Sequence, residues 1–286
     1  MQYFNVYFMS VYAKEKLRDR TVAGIFNRED FVDIDMQKVS KNLNQSTVAF
    51  VSRLDTDRFE GKFYCGNKEE GFCDYAAIGV FYALAEKNYI TPVENGIKSV
   101  VLHTERGKIE IELHYENSEI DHVSLKFPKI EMESIILEKE LFQVLNISRD
   151  DLKTENIYMT RKNDSQQKQV LIPLKNVELM QNHDFEMDEA EKYFQKMNYN
   201  SVELLALRGE NDIFRKWIYP MSSKKNHNFE YITELSFYYL FQEGLVDQDK
   251  KFSLNDDYVF SLKKPEDGIV RLEARANIYL SGILNI

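Results

Sequence analysis

The stretch Asp74-Tyr75-Ala76-Ala77-Ile78-Gly79-Val80-Phe81-Tyr82-Ala83-Leu84-Ala85-Glu86 decides how this chain folds. Its apolar residues point in every direction around a helix of 3.6 residues per turn, so no polar stripe is left to face water. Such a helix has to be covered on all sides. Strand-like segments flank it: Thr47 to Val51 and Phe59 to Cys65 before it, Val100 to Thr104 and Lys108 to Tyr115 after it. In the last of these Ile109, Ile111 and Leu113 alternate with Glu110, Glu112 and His114, the period of a strand with one face on a core. A turn at Arg106-Gly107 makes these two a hairpin, and Val123, Leu125 and Phe127 add a third strand. Upstream, Tyr3 to Tyr12 reads as a first strand. Asp35 is placed to cap a short helix carrying Met36, Val39 and Leu43.

The second half repeats this order. A helix with Met187, Ala190, Phe194 and Met197 on one face leads to strands Val202 to Leu207 and Ile213 to Tyr219. Next come the apolar segment Thr233 to Gln242, strand Tyr258 to Leu262, a Pro265-Glu266-Asp267-Gly268 turn, and strands Ile269 to Arg275 and Ile278 to Leu284. An order that recurs at a nearly constant offset points to a duplicated fold. The expected class is α+β: two pseudo-symmetric domains, each a barrel-like, mostly antiparallel sheet around a central buried helix. The expected boundaries are residues 1–128 with 276–286 for one domain and 129–275 for the other. Two unrelated α+β domains are the alternative reading of the same pattern.

Composition narrows the function. The chain has 286 residues, long for one core, and only 5 Pro and 11 Gly, which argues for two closely packed units without a long linker. With 37 Lys+Arg against 47 Asp+Glu the net charge is −10, which repels phosphate backbones, so nucleic acid is not an expected partner. No segment approaches the ~18–20 apolar residues that span a bilayer. No signal peptide is read at Tyr3 to Tyr12, and two cysteines, Cys65 and Cys73, make no disulfide framework, so a cytoplasmic setting is expected. His103, His114, His122, His183 and His227 show no metal-ligand spacing, and Gly61, Gly66 and Gly71 lack the lysine of a phosphate loop. No metal and no cofactor are expected. Met221 to Asn228 reads as a polar loop over a cleft, and Arg161 to Gln169 as an exposed hairpin tip.

Three stretches carry a family likeness: Asn42-Leu43-Asn44-Gln45-Ser46-Thr47-Val48-Ala49-Phe50-Val51, Gly71-Phe72-Cys73-Asp74-Tyr75-Ala76-Ala77-Ile78 and Phe214-Arg215-Lys216-Trp217-Ile218-Tyr219-Pro220. In order and spacing the chain resembles the PhzF-like family of phenazine biosynthesis, within a wider group that includes diaminopimelate epimerase. The resemblance implies two pseudo-symmetric domains with a cleft where the two central helices meet at their N-termini. It implies cofactor-independent proton transfer on a small amino or carboxylic acid, as an isomerase or epimerase, with a homodimer as a possible assembly. The family's motifs are altered here. Where its first motif holds a proton-moving glutamate, three residues before a phenylalanine, this chain has Thr47. The family's Cys-Gly-His-Ala-Thr is here Cys73-Asp74-Tyr75-Ala76-Ala77, and its Asp-Pro-x-Thr-Gly-Ser-Ala aligns with Glu230-Tyr231-Ile232-Thr233-Glu234-Leu235-Ser236. The family's N-terminal Gly-Asn-Pro is not recognisable around Arg20 to Ala23.

Carried onto this sequence, the catalytic candidates are Glu230, Cys73, Tyr75 and Thr47. Gln45, Asp74, Thr233, Glu234 and Ser236 are the substrate-binding candidates. A helix N-terminus suits a substrate carboxylate and the enolate-like charge of proton abstraction. Carboxylates at those places, Asp74 at one and Glu230 and Glu234 at the other, would repel an anion. Asp74 and Thr233 also read as plain helix caps, each worth about 1 kcal/mol. The Cys73 thiol would gain from the helix end and lose from Asp74. Glu230 is the carboxylate best suited to proton transfer if burial raises its pKa. The altered motifs leave open a second class, a catalytically silent relative kept for ligand binding or association with a partner.

Overall fold

The computed structural model describes all residues except 1, 13–20, 28, 30, 32–33, 67, 128–129, 136–137, 162–167, 182–186, 210–211, 219–233, 246–249, 255–257 and 264–268. By packing the chain divides into two units, Met1–Phe127 with Asp257–Ile286, and Pro128–Asp256. The architecture is mixed α+β and dominated by sheet. Among the described residues no helix is long and apolar enough to cross a membrane.

The first unit runs β1 (Tyr3–Val11), β2 (Thr21–Asn27), α1 (Met36–Leu43), β3 (Thr47–Arg53), β4 (Arg58–Cys65), β5 (Lys68–Glu70), α2 (Asp74–Glu86), β6 (Gly96–Thr104), β7 (Gly107–Glu116) and β8 (Glu119–Phe127). The second runs β9 (Glu133–Ile135), α3 (Lys139–Val144), β10 (Ile157–Arg161), β11 (Lys168–Pro173), α4 (Glu178–Gln181), α5 (Met187–Met197), β12 (Tyr199–Arg208), β13 (Asp212–Ile218), α6 (Glu234–Gln242) and β14 (Lys250–Leu254). The chain then returns to the first unit with β15 (Tyr258–Lys263), β16 (Val270–Ala274) and β17 (Ala276–Asn285). It does so at Asp257, earlier than the expected 276, because β16 pairs antiparallel with β8 through Val270↔Phe127 to Ala274↔Val123.

In the first unit α2 is buried from Asp74 to Ala85 except at Tyr82, as its all-round apolar sequence requires. It packs on β1, β2, β3, β7, β8 and β17. Those strands come from both ends of the hydrogen-bonded order β17-β1-β2-β3-β4-β6-β7-β8-β16, so the sheet curls about the helix. Two glycines permit the close approach. A Cβ on Gly79 would stand 2.9 Å from Val11 Cγ2, and one on Gly24 of β2 would stand 2.8 Å from Val80 Cγ2. The other face of β2 and β3 is covered by α1. Asp35 caps that helix by accepting from the Lys38 N–H at 2.9 Å, and Asn44 ends it in the left-handed region. Met36, Val39 and Leu43 pack there against Ala23, Ile25, Val48 and Phe50. Sequence periodicity missed β2, whose Val22, Ala23, Ile25 and Phe26 are all buried: a strand covered on both faces does not alternate.

In the second unit β9 to β13 pair in sequence order except that a parallel step joins β11 to β12 across α5. Leu141 and Phe142 of α3, its C-cap Leu145, and Ala190, Tyr193 and Phe194 of α5 share a core with Met159, Ile172, Val202 and Leu204. The helix α6 packs on β10, with the Tyr158 and Tyr239 rings 5.2 Å apart. Arg161 and Lys168 pair as the ends of β10 and β11, so the expected hairpin is present, while 162–167 lie outside the described residues. The expected loop Met221 to Asn228 and the turn Pro265 to Gly268 also lie outside them.

Candidate functional site

Three of the four expected catalytic side chains converge at the start of α2. Thr47 is the first residue of β3, Cys73 the last before the helix, and Tyr75 the second within it. All three are fully buried. The Thr47 and Tyr75 hydroxyls are hydrogen-bonded to each other. Thr47 Oγ1 also lies 3.3 Å from Cys65 Sγ and accepts from the Cys73 thiol at 3.9 Å. Burial pushes the Cys73 thiol well above its ordinary pKa, and the neighbouring Cys65 and Asp74 push the same way. The Ala76 N–H and the Thr47 hydroxyl favour the thiolate but are outweighed. The group is a thiol, not a thiolate nucleophile.

The cap of α2 is Cys73 and not Asp74. Cys73 has extended backbone, φ −139° and ψ 112°, and makes no side-chain cap bond. Asp74, expected at the cap, is the first helical residue. It is buried, and its Oδ1 accepts from the Tyr75 N–H at 2.7 Å. A carboxylate one position inside the helix still meets the unpaired N–H groups of the first turn, and its charge complements the helix dipole. Gln45 does not join this cluster. Its Nε2 donates to the Leu43 carbonyl at 3.2 Å and its Oε1 accepts from the Tyr279 hydroxyl of β17 at 3.2 Å.

The other expected residues fall at α6. Glu230 and Thr233 lie outside the described residues, and Glu234 opens the helix with its side chain outside them. Ser236, in the first turn, is buried and donates to Glu203 Oε1 at 2.5 Å. The same carboxylate oxygen accepts from Arg215 Nε. Glu203 on β12 and Arg215 on β13 are diagonal neighbours, because Leu205 is the residue paired with Arg215. Glu203 is 1% exposed and Arg215 3%. Sequence reading did not single out this ion pair. The signal was there: each charge interrupts an apolar strand, Val202 to Leu207 and Ile213 to Ile218.

Two of the histidines form a further cluster. His114 and His122 are eight positions apart and share no ligand motif, yet they stand opposite each other on β7 and β8. With Glu273 of β16 they hold three ligand atoms within 4.8 Å of one another. Spacing along the chain does not show pairing across strands.

Comparison with known proteins adds to this geometry. Residues 9–222 match the phenazine biosynthesis-like protein family. An uncharacterized isomerase of Clostridium acetobutylicum is 29% identical over 156 residues, 52% of this chain. The matched stretch spans 49% of that relative's own length. Among solved structures, a predicted epimerase of Pseudomonas aeruginosa superposes with a TM-score of 0.73 at 15% identity, covering 99% of each chain. A phenazine biosynthesis protein of the PhzF family from Bacillus anthracis gives 0.71 at 14% identity over 100% of each. These structural likenesses concern the fold.

Proposed function

The chain belongs to the phenazine biosynthesis-like protein family, and from that premise we propose that it is a cofactor-independent isomerase or epimerase that moves a proton on a small amino or carboxylic acid. The observation that carries this reading is the convergence of Thr47, Cys73 and Tyr75 on the first turn of a buried helix. That is where the family's motifs place catalytic groups. In this reading the Thr47 and Tyr75 hydroxyls orient the substrate. Cys73, held as a neutral thiol, is no base, and neither is Thr47 near neutral pH. The family likeness, and not the described geometry, gives proton transfer to Glu230 and substrate contacts to Gln45, Thr233, Glu234 and Ser236. The Glu203 and Arg215 pair fixes Ser236.

We also infer that the two units are copies of one plan. A parallel strand pair joined through a helix, then an antiparallel strand and an apolar helix, occurs as β2-α1-β3-β4-α2 and again as β11-α5-β12-β13-α6. Its support is the register: Val22↔Thr47 and Gln169↔Ser201 are parallel, Val48↔Tyr64 and Val202↔Ile218 antiparallel.

One observation favours a second reading, that of a silent relative which binds a ligand without turning it over. The Asp74 carboxylate already takes a first-turn N–H of α2, a donor that a substrate carboxylate would need. The two readings separate in heavy water. The protein is incubated with a panel of amino acids and cyclohexadiene carboxylic acids, and deuterium at carbon is read by mass spectrometry. Solvent-derived deuterium that disappears in Glu230→Gln supports the isomerase. A ligand-induced thermal shift with no exchange from any member of the panel supports the silent relative.

A further inference from the structure

We propose that His114, His122 and Glu273 form a binding site for a divalent transition-metal ion of the zinc class. The three residues stand on adjacent strands β7, β8 and β16. His114 is paired with His122, and Ser124 with Glu273. Alternation along each strand puts all four on one face of the sheet, while Leu113, Val123, Leu125, Leu272 and Ala274 are buried on the other. The β7–β8 register shifts immediately after His114, which marks a local irregularity beside the pair. The two imidazoles are stacked, with centroids 4.0 Å apart and planes 17° from parallel.

The surroundings prepare a ligand set. His122 Nδ1 lies 2.6 Å from Asp121 Oδ2, and Asp121 is held in turn by Arg275. A carboxylate at Nδ1 fixes the proton there and turns the Nε2 lone pair outward, the carboxylate–histidine arrangement of metal sites. That Nε2 is buried and has no hydrogen-bond partner among the described residues. It faces Glu273 Oε1 at 3.7 Å. The separation is too long for a hydrogen bond, and a lone pair opposite a carboxylate is repulsive. It is close to the ~3.3–3.5 Å edge between two ligands that each sit ~2.0–2.2 Å from a tetrahedral zinc. A cation there turns the repulsion into two bonds.

Ser124 Oγ donates to Glu273 Oε1 at 3.1 Å and so accepts from His114 Nε2 at 2.8 Å, a bond that a cation taken up by that nitrogen would replace. Glu273 is 7% exposed, so its charge is poorly hydrated and gains from a cation. His114, His122 and Asp121 line a pocket of about 470 Å³, a route for an ion to enter. Two imidazoles and one carboxylate select zinc-class ions over magnesium or calcium and leave a fourth position for water.

The test is titration of the chelator-treated protein with Co²⁺ and then Zn²⁺. The expected result is one Co²⁺ per chain with visible ligand-field absorption, displaced by Zn²⁺. His122→Gln and Glu273→Gln should each lose affinity by more than about 100-fold, and Asp121→Asn by about 10- to 100-fold, as an outer-shell partner does. Glu230→Gln should leave binding unchanged, which keeps this outcome separate from that of the proposed isomerisation. Where a ligand variant does not fold, X-ray absorption on the zinc-loaded native chain decides the question. Imidazole scattering without sulfur supports the site, and sulfur, from Cys65 or Cys73, overturns it. Absence of saturable binding, or binding unaffected in folded His122→Gln, also overturns it.

Discussion

The start of α2 and the first turn of α6 are both buried, yet they are furnished differently. At α2 the Thr47, Tyr75 and Cys73 side chains carry no charge and bond one another, and the one buried carboxylate, Asp74, is met by a backbone N–H of the helix's own first turn. Beneath α6 a carboxylate, a guanidinium and a hydroxyl meet at Glu203, Arg215 and Ser236. A neutral network tolerates a dry interior at modest cost. A buried ion pair persists only as a pair, because either charge alone faces a large desolvation penalty.

The largest expected effect tests this contrast on the charged side. Arg215→Met leaves the Glu203 carboxylate buried beside a thioether, and urea unfolding should show a loss of about 3–5 kcal/mol. A loss below about 1 kcal/mol would mean that water reaches Glu203 and that the two neighbourhoods differ less than described. On the neutral side Tyr75→Phe removes one partner of the Thr47 hydroxyl, and the expected loss is about 1–3 kcal/mol. The double variant with Thr47→Val should recover part of it, because no orphaned hydroxyl is then left; failure of the two changes to couple would break the network reading.

A smaller effect comes from acid. Burial raises the Glu112 carboxyl pKa, but the bonds from Lys126 and then Arg271 outweigh it and hold it below the ordinary value. A depressed folded pKa contributes stability above the unfolded value, and that stability is lost as pH falls through the folded one. Glu112→Gln should therefore flatten the decline of the unfolding free energy below about pH 4.5 by no more than about 1 kcal/mol, and an unchanged acid limb would count against the bonds. The smallest effect concerns the thiols. With its pKa raised and its sulfur covered, Cys73 should stay unmodified by iodoacetamide at pH 8 in the native chain, while half-exposed Cys65 reacts first. Prompt alkylation of Cys73, mapped by peptide mass, would restore it as a nucleophile.

Particular residues show how far the sequence could be read. Asp35, Met36, Val39 and Leu43 announced α1, because capping and helical period are local properties. The strands β3, β4, β6, β7 and β8 were legible for the same reason. The β2 strand was not, since burial on both faces erases alternation, and neither were β9 and α3, while β10 and β11 showed only as the flanks of the expected tip at Arg161 to Gln169. Thr47, Cys73 and Tyr75 were named as a group through a family likeness, but the side-chain chemistry that joins them is tertiary.

The sequence by itself determined that Asp74 to Glu86 is a helix and that it is buried, because a segment without a polar face has no other stable place in water. The tertiary structure alone decided that Glu203 finds Arg215, that Cys73 and not Asp74 caps α2, and that His114 meets His122 and Glu273. Each of these depends on strand register or on backbone angles at a helix end. Register is set by which faces are buried across the whole sheet, and that is not a property of any one segment.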